Sequence, residues 1–349
     1  MRRLFAAAAV RLVCGALWLA LAGATNAQGF EIEAMQDFGT GAQRIDVLST
    51  TDIAYMRPVI DAYLARHPEV SLHYVVASSQ EVYRAVAEEE APFDLVISSA
   101  MDLQMKIAND GLARSLPAGL LAGQPGWARW RDLLVAVTQE PVVLLLGRDA
   151  LPPGVPAPTT RRELIDLLRD HPDRFQGKVA TYDPAVSGAG YLFAAQDARL
   201  SDTFWRLAEV MGRLDAKLYC CSAEMIGDIA AGRMLLGYNV LGSYAPGSEA
   251  DGVRIVELQD YTLTLLRTAL VPQGAKAPEA GEEFLAFLLS AEGQALVAEG
   301  AGLPALDADA FDRNPHLRPI RLDPGLLANL DQITRRRFLE EWRAALIQR

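Results

Sequence analysis

Histidine and cysteine, the side chains that most often activate a nucleophile or bind zinc, are scarce in this sequence. The chain has four histidines and three cysteines among 349 residues. None of the histidines follows a predicted strand beside a serine or a carboxylate, and the Gly-x-Ser-x-Gly elbow of hydrolases is absent. The cysteines also lack the C-x-x-C spacing of a zinc knuckle. These residues therefore predict neither an enzyme nor a cofactor or metal site.

Basic residues are outnumbered by acidic ones. Lysine and arginine total 33 against 44 aspartates and glutamates, which gives the full chain a net charge of −11 at pH 7. Such a charge repels nucleic acid and anionic lipid, although it allows a local cationic pocket. The basic triplet at residues 335–337 is interpreted as the solvated face of a helix. Nucleic acid is therefore not expected to be a partner.

The first 27 residues lack the uninterrupted run of ~20 apolar residues that would cross a membrane. Arginines open this segment, Arg11 interrupts its apolar part, and the small residues Thr25 and Ala27 close it. This order is typical of a secretory signal peptide. We predict that residues 1–27 are cleaved off and that the mature chain works in the periplasm. Cleavage removes three arginines and no acid, which changes the net charge to −14.

The mature chain keeps two neighbouring cysteines, Cys220 and Cys221, because Cys14 leaves with the signal peptide. Two adjacent cysteines cannot link distant segments of the chain to each other. In an oxidising compartment they form either a vicinal disulfide or a pair of small buried hydrophobic side chains. The sequence leaves both alternatives open.

Three strand-like segments in the first third of the chain are each followed by hydroxyl side chains and a helical pattern. The strands are predicted at residues 44–48, 70–76 and 93–97, and residues 28–43 are predicted to be a loose leader. Such units form a parallel sheet whose carboxyl ends meet at one edge. Hydroxyl groups there, at the N-termini of helices, suit an anion. The ligand-binding residues predicted in this part of the chain are Ser49, Thr50, Ser78, Ser98 and Ser99.

Two later stretches place similar groups at the ends of strands and helices. Residues 187–190, Ser-Gly-Ala-Gly, open a helical pattern and present bare N–H groups to which a ligand can come close. The apolar run at residues 234–236 predicts a strand buried on both faces, which leads into Tyr238, Asn239 and Tyr244. Hydrogen-bonding side chains are therefore predicted at the ligand-bearing edge of a second sheet.

A chain of 349 residues is long for one hydrophobic core, which favours two domains. Extended apolar segments at residues 133–146 and 268–272 are the candidate crossings between the domains. We therefore predict a first lobe built from residues 44–140 and 268–349. Residues 141–267 are predicted to form the second lobe.

The segment at residues 232–245, and the phrase Ala-Arg-His-Pro-Glu-Val at residues 65–70, resemble bacterial periplasmic solute-binding proteins. The similar group serves ABC importers of ferric iron, phosphonates and sugar phosphates, and the resemblance covers nearly all of residues 44–349. It implies an α/β fold of the two-lobed type II periplasmic binding protein. In that fold each lobe is a mainly parallel sheet flanked by helices, and two hinge crossings let the lobes close on a ligand. The second-lobe residues that the resemblance brings to the ligand are Ser187, Gly188, Tyr191 and Tyr244.

The ligand expected from these residues is a small oxygen-rich solute, an organic anion such as a sugar phosphate, a phosphonate or a carboxylate. In the ferric relatives a tyrosine pair binds the metal, whereas residues 243–245 of this chain are Ser-Tyr-Ala. Only one tyrosine of the pair is thus present, so ferric iron is the alternative ligand and not the expected one. The resemblance implies a monomer that delivers its solute to an ABC permease in the inner membrane. Presentation of the ligand to a membrane sensor kinase is the alternative role.

Overall fold

The computed structural model describes residues 29–245, 252–300 and 302–347, so the predicted signal peptide lies outside the described residues. In the described part, strands and helices alternate and build one mixed sheet flanked by helices, which confirms the predicted α/β class. Every helix in these ranges is too short or too polar to cross a membrane. The strands are β1 (Ala34–Phe38), β2 (Gln43–Ser49), β3 (Val70–Val76), β4 (Leu95–Ser98), β5 (Arg129–Trp130), β6 (Leu134–Leu146), β7 (Val179–Tyr182), β8 (Lys217–Tyr219), β9 (Leu236–Leu241), β10 (Arg254–Val256), β11 (Thr262–Leu270) and β12 (Leu317–Pro319). The helices are α1 (Ile53–Arg66), α2 (Ser79–Ala87), α3 (Met101–Asn109), α4 (Arg161–Asp170), α5 (Pro172–Phe175), α6 (Gly188–Leu200), α7 (Thr203–Arg213), α8 (Ser222–Ala230), α9 (Pro278–Leu289), α10 (Ala291–Ala295), α11 (Ala310–Arg313) and α12 (Gln332–Leu346).

The first half of the sheet is centred on β2, which lies between β3 and β4 and runs parallel to both. This is the arrangement expected from successive strand and helix units. At the edge, β1 runs antiparallel to β3, with Ala34 opposite Val76 and Phe38 opposite Leu72. The prediction of a loose leader at residues 28–43 is therefore wrong. Since Phe38 is the one fully buried side chain of β1, its apolar pattern is weak, and backbone pairing with β3 holds it in place.

Two strands continue from one half of the sheet to the other. Residues 134–141 of β6 pair with β5 and β11 in the first half, and residues 142–146 pair with β9 and β10 in the second. Strand β11 pairs with β4, β6 and β12 and has a bulge between Arg267 and Thr268. The predicted crossings thus coincide with β6 and β11, although β11 begins earlier than the predicted segment.

In the second half, β7 lies between β8 and β9 and runs parallel to both. The sequence had predicted that Tyr238 and Asn239 follow the strand. Strand β9 extends to Leu241, however, so both residues lie within it. The backbone of Asn239 is left-handed, with φ 57°. Its amide nitrogen donates to the buried Asp197 carboxylate at 3.0 Å, and the Tyr238 hydroxyl donates to the same group. Both side chains therefore stabilise the core and do not reach the edge of the sheet.

The C-terminal helix α12 packs on the second half of the sheet. The indole of Trp342 stacks on the ring of Phe204 in α7, with ring centroids 5.9 Å apart. A β-carbon on Gly212 of α7 would lie only 2.2 Å from the carbonyl oxygen of Ala345, so the two helices are in close contact. This packing departs from the predicted division into lobes, which assigned residues 268–349 to the first lobe. The reason is that nonpolar side chains of α12 complete the nonpolar face of α7.

Candidate ligand-binding cleft

A cavity of about 320 Å³ lies between the two halves, where the parallel strands end. Its lining comes mainly from the turns that follow β2, β3 and β4 on one side and from the ends of β7, β8 and β9 on the other. This is the edge of an α/β sheet at which ligands bind. The described residues that line it are Glu33, Thr50, Asp52, Ala77, Ser78, Ser79, Ser99, Tyr182, Val186, Ser187, Ala189, Cys220, Cys221, Ser222, Ala223, Glu224, Leu241 and Tyr244.

Five helices of the described chain begin at this cavity. Asp52, Ser78, Ser187 and Cys221 are the N-cap residues of α1, α2, α6 and α8, and Ser99 stands just before the N-cap of α3. The first N–H groups of a helix have no partner inside the helix, and the helix dipole is positive at this end. Both walls of the cavity therefore present N–H groups and partial positive charge.

The hydroxyl of Thr50 is oriented by two donors behind it. Its oxygen accepts hydrogen bonds from the N–H of Ser99 at 3.1 Å and from Nη1 of Arg267 at 3.1 Å. The Thr50 and Ser99 hydroxyl oxygens are 3.4 Å apart. Because both acceptor positions of Thr50 are used, its proton is directed to Ser99 or into the cavity. In either case one hydroxyl proton of this pair is available to an acceptor on a ligand.

A buried ion pair lies behind that wall, on the two strands that cross between the halves. Arg267 of β11 donates to Glu140 of β6 through Nε at 2.8 Å and Nη2 at 3.1 Å. Burial by itself raises the pKa of Glu140, but the guanidinium outweighs it and holds the pKa below its usual range. Arg267 also donates to Thr51 Oγ1 at 2.9 Å, and Ser243 donates to Glu140. The pair is neutral overall and connects the crossing strands to both walls.

Tyrosines of the second wall organise its hydrogen bonds and its contact with the first wall. The Tyr182 hydroxyl lies 2.6 Å from Ser222 Oγ and accepts the N–H of Leu241 at 3.2 Å. The ring of Tyr244 meets the ring of Tyr55 edge to face, with centroids 4.8 Å apart. Since Tyr55 belongs to α1, this ring pair joins the two walls directly.

Carboxylates also line the cavity. Desolvation raises the pKa of Asp52, an effect that the charge of Arg267 partly offsets. Desolvation also raises the pKa of Glu33, and the negative charges of Asp52 and Glu31 add to that shift. Carboxylates accept hydrogen bonds from hydroxyl and ammonium groups. The cleft therefore offers donors to an anionic group and acceptors to donor groups beside it.

The structure brings five of the nine predicted ligand residues to this cavity. They are Thr50, Ser78, Ser99, Ser187 and Tyr244. Ser78 and Ser187 also cap their helices, since their Oγ atoms accept the N–H groups of Glu81 at 3.3 Å and Gly190 at 3.1 Å. That these residues bind a ligand stays a prediction.

Ser49 and Ser98 do not line the cavity, contrary to what was predicted. They are the last residues of β2 and β4 and are 0% and 1% exposed. Each Oγ accepts the backbone N–H two residues later, at 3.0 Å for Ser49 and 3.2 Å for Ser98. These bonds stabilise the turns, and in both turns the next residue along the chain lines the cavity instead.

Gly188 and Tyr191 are also outside the lining. A β-carbon on Gly188 would lie 2.5 Å from Ser79 Oγ and 3.2 Å from Leu103 Cδ1, so glycine lets the start of α6 touch the first wall. Tyr191, which is 1% exposed, donates its hydroxyl proton to the carbonyl of Asn329. The Tyr191 ring also meets the ring of Phe338 in α12 edge to face, with centroids 5.4 Å apart, so contacts with the C-terminal segment hold this side chain away from the cavity.

Cys220 and Cys221 form a disulfide in the turn between β8 and α8. Cys220 is exposed, Cys221 is half-buried, and both line the cavity. The alternative of two buried hydrophobic side chains is therefore wrong. The turn follows the end of a parallel strand, so it lies at the cleft and not in the core.

A sequence model of bacterial extracellular solute-binding proteins matches residues 45–302 of this chain. The protein belongs to this family. The substrate binding protein of an ABC transporter from Agrobacterium tumefaciens is 35% identical, with 90% of this chain and 98% of that chain covered and a TM-score of 0.84. These findings confirm the predicted resemblance to periplasmic solute-binding proteins and the predicted type II binding fold.

More distant solved structures share the fold of this solute-binding protein. AfuA from Actinobacillus pleuropneumoniae, with fructose-6-phosphate bound, is 15% identical over 88% of this chain and 99% of its own, with a TM-score of 0.70. Iron-bound HitA from Pseudomonas aeruginosa is 17% identical over 87% and 99%, with a TM-score of 0.64. A comparison with curated proteins found no match. The ligand must therefore be inferred from the cleft itself.

Sequence reasoning missed several residues that line the cleft of this solute-binding protein. Tyr182 ends β7 and Ser222 begins α8, so the strand-end pattern used for the first lobe could have found both. Asp52 is the N-cap residue of α1, but its side chain makes no capping hydrogen bond and lines the cavity. Glu33 had no local signal, because only the pairing of β1 with β3 brings it to the cleft.

The described residues do not favour a metal site in this solute-binding protein. No three histidine, cysteine or acidic side chains among them could together hold a metal ion. Burial raises the pKa of the Tyr244 phenol, which disfavours the phenolate that ferric iron would need. Tyr238 is hydrogen-bonded to Asp197 in the core and Tyr191 to the C-terminal segment, so neither supplies a second phenolate.

Proposed function

We propose that this solute-binding protein captures a small organic anion in the periplasm, such as a sugar phosphate, a phosphonate or a carboxylate, and delivers it to an ABC importer. The observation that carries the proposal is the convergence of five helix N-termini of the described chain on one cavity. N–H groups and positive dipole ends favour an anion. The hydroxyl groups of Thr50, Ser99 and Ser222 add donors on both walls.

The carboxylates of Asp52 and Glu33 narrow the class of anion. A fully ionised inorganic oxyanion such as sulfate would meet two like charges and offer them no hydrogen-bond donor. A solute with hydroxyl or ammonium groups beside its anionic group can donate to them. This supports an organic anion with several polar groups.

Capture is proposed to act through closure of the cleft. Gly188 packs on Ser79 and Tyr244 packs on Tyr55, so the two walls touch in this structure. Either wall alone leaves a solute half hydrated, and a solute that contacts both walls therefore stabilises the closed arrangement. Strands β6 and β11, which run from one wall to the other, are the proposed hinge.

The lining of the cavity suits binding better than catalysis. Among the described residues that line it, none is histidine, lysine or arginine, and both cysteines are in the disulfide. A serine such as Ser99 or Ser222 would have no imidazole to activate it as a nucleophile. We therefore assign the protein to transport and not to an enzyme class.

Thermal unfolding of the mature chain, residues 28–349, tests the ligand class. The solutes are sugar phosphates, phosphonates, di- and tricarboxylates and ferric citrate. A ligand at 100 times its Kd stabilises the folded protein by about 2.7 kcal/mol. We expect such a shift with one class of organic anion and a smaller shift in Ser99→Ala and Tyr244→Phe. A shift with ferric citrate alone, or an equal shift with neutral sugars and their phosphates, would contradict the proposal.

Uptake of the radiolabelled anion by spheroplasts tests delivery. We expect that uptake requires added mature protein and external solute together. Uptake that does not depend on the protein, combined with a solute-dependent transcriptional response, would favour presentation to a sensor kinase.

A further inference from the structure

The Cys220–Cys221 disulfide occupies a position that capture of an anionic group does not explain. Both cysteines line the cavity of about 320 Å³ that the helix N-termini surround. They also line an adjoining cavity of about 520 Å³, called the outer cavity below. Glu33, Ser78 and Val186 are likewise shared by the two cavities. The disulfide therefore stands where the inner space passes into the outer one.

The two walls at this passage differ in polarity. On the second wall the passage is lined by the disulfide and by Val186, and neither presents a charged group or a hydroxyl. On the first wall it is lined by Glu33 and Ser78. The outer cavity adds Gln80 and the charged side chains of Glu31, Glu81 and Arg335. A solute in the passage thus meets sulfur and carbon on one side and hydrogen-bonding groups on the other.

Val186 shows that the nonpolar side of the passage is open. Its side chain is 52% exposed, one of few large hydrophobic side chains of the described chain that remain so exposed. Covering an exposed nonpolar surface is favourable in proportion to the area removed from water. Nonpolar groups of a solute that reaches past the helix N-termini would cover this surface.

We propose that the Cys220–Cys221 disulfide and Val186 form a specificity-determining nonpolar contact for the carbon skeleton of the solute. The proposal rests on the proposed function, because it places the anionic group at the helix N-termini and the carbon skeleton in the passage. The preferred ligand is accordingly an anion with several carbons next to its anionic group. Phosphate and other small inorganic oxyanions have no carbon skeleton to place against this contact.

Isothermal titration with methyl-, propyl- and pentylphosphonate tests this contact. In the wild-type protein we expect affinity to rise about three- to fourfold for each added methylene that is buried. In Val186→Ser, and in the double variant Cys220→Ser/Cys221→Ser, the gain per methylene should fall below about twofold, since hydroxyl groups replace the nonpolar surface. Leu200→Ser is the matched control, because Leu200 is 46% exposed and lies outside the two cavities.

The outcomes separate this inference from the proposed function. Failure of all three phosphonates, together with failure of sugar phosphates and carboxylates, overturns the anion site and this contact with it. Binding of the phosphonates with the same gain per methylene in wild-type and variants overturns the contact alone.

A second readout uses the chemistry of the disulfide. A water-soluble phosphine reduces the S–S bond to two thiols, which adds two hydrogens to the mass of the protein while the phosphine takes up oxygen from water. Saturating pentylphosphonate should slow this reduction more than saturating methylphosphonate does. Equal rates with both probes would overturn the contact even if the double variant does not fold.

Discussion

The contact between Gly188 and the first wall leads to a sharp prediction about closure. In Gly188→Ala the new β-carbon would lie 2.5 Å from Ser79 Oγ, 3.2 Å from Ser79 Cβ and 3.2 Å from Leu103 Cδ1. Ordinary contacts of this kind begin at 3.4 Å, so the walls must separate or Ser79 must move. Overpacking of this size costs about 1–3 kcal/mol. Because Gly188 and Ser79 belong to opposite walls, opening the cleft relieves the clash.

The cost should therefore fall on ligand binding and not on folding. We expect the affinity of Gly188→Ala for the anion identified by thermal unfolding to fall about 5- to 150-fold. Small-angle X-ray scattering should show less contraction of the protein on ligand binding than in the wild type. Without ligand, the melting temperature should stay close to that of the wild type.

Gly190→Ala provides the matched control, two residues along the same helix. Its β-carbon would lie 2.4 Å from Cβ of Tyr182, which belongs to the same wall, so opening the cleft gives no relief. This variant should lose stability without ligand. Ser79→Ala removes the hydroxyl that clashes with the new β-carbon. In the Ser79→Ala background, Gly188→Ala should therefore reduce affinity less than it does in the wild-type background. Wild-type affinity in Gly188→Ala, or a fall in its melting temperature like that of Gly190→Ala, would refute the reasoning.

Three further predictions concern the hinge, the pH dependence and the turns. Glu140→Gln leaves the buried guanidinium of Arg267 without its carboxylate and should lower the free energy of unfolding in urea titrations by about 3–5 kcal/mol. Asp307→Asn, which breaks the exposed pair with Arg313, is the control and should lower it by less than about 1 kcal/mol. Burial raises the pKa of Asp102 to about 7 from 3.8, so the folded protein holds a proton that the unfolded chain releases, and stability should fall by up to about 4 kcal/mol as pH rises from 4 to 7. Asp102→Asn should remove that part of the slope in a pH series of unfolding curves, and an unchanged slope would contradict the assignment. Ser98→Ala should lower the unfolding free energy by about 1 kcal/mol with little change in ligand affinity. Ser99→Ala should lower ligand affinity with little change in the unfolding free energy, and ligand titration together with unfolding curves would show the difference.

Much of the fold could be predicted because its signals are local. The segments that became β2, β3 and β4 are short apolar runs followed by hydroxyl residues and helical periodicity. Parallel strands of one sheet share a direction, so the turns after them had to meet at one edge. The convergence of Thr50, Ser78 and Ser99 followed from this geometry, and the hydroxyl at the start of α6 followed from the resemblance. Tyr182 at the end of β7 was not among the predicted ligand residues, because its position in the sequence suits a helix cap as well as the cleft.

Local patterns could not decide which of two adjacent hydroxyl residues faces the cleft. Ser98 and Ser99 are the same residue type, yet one bonds the backbone of its own turn and the other lines the cavity. Tyr191 likewise belongs to the predicted helix, but its hydroxyl meets Asn329, far along the chain. These outcomes depend on the rotation of each turn against its neighbours, which is set by packing in three dimensions.

The sequence by itself determined the class of the fold, the edge of the sheet where the cavity lies and the kinds of donor group that gather there. Only the tertiary structure brought Glu33 and the Cys220–Cys221 disulfide to the cleft and placed α12 on the second half of the sheet. The physical reason is the range of the interactions. Strand, turn and helix preferences act over a few residues, whereas edge pairing, helix packing and contact between the walls join residues that are distant in the chain.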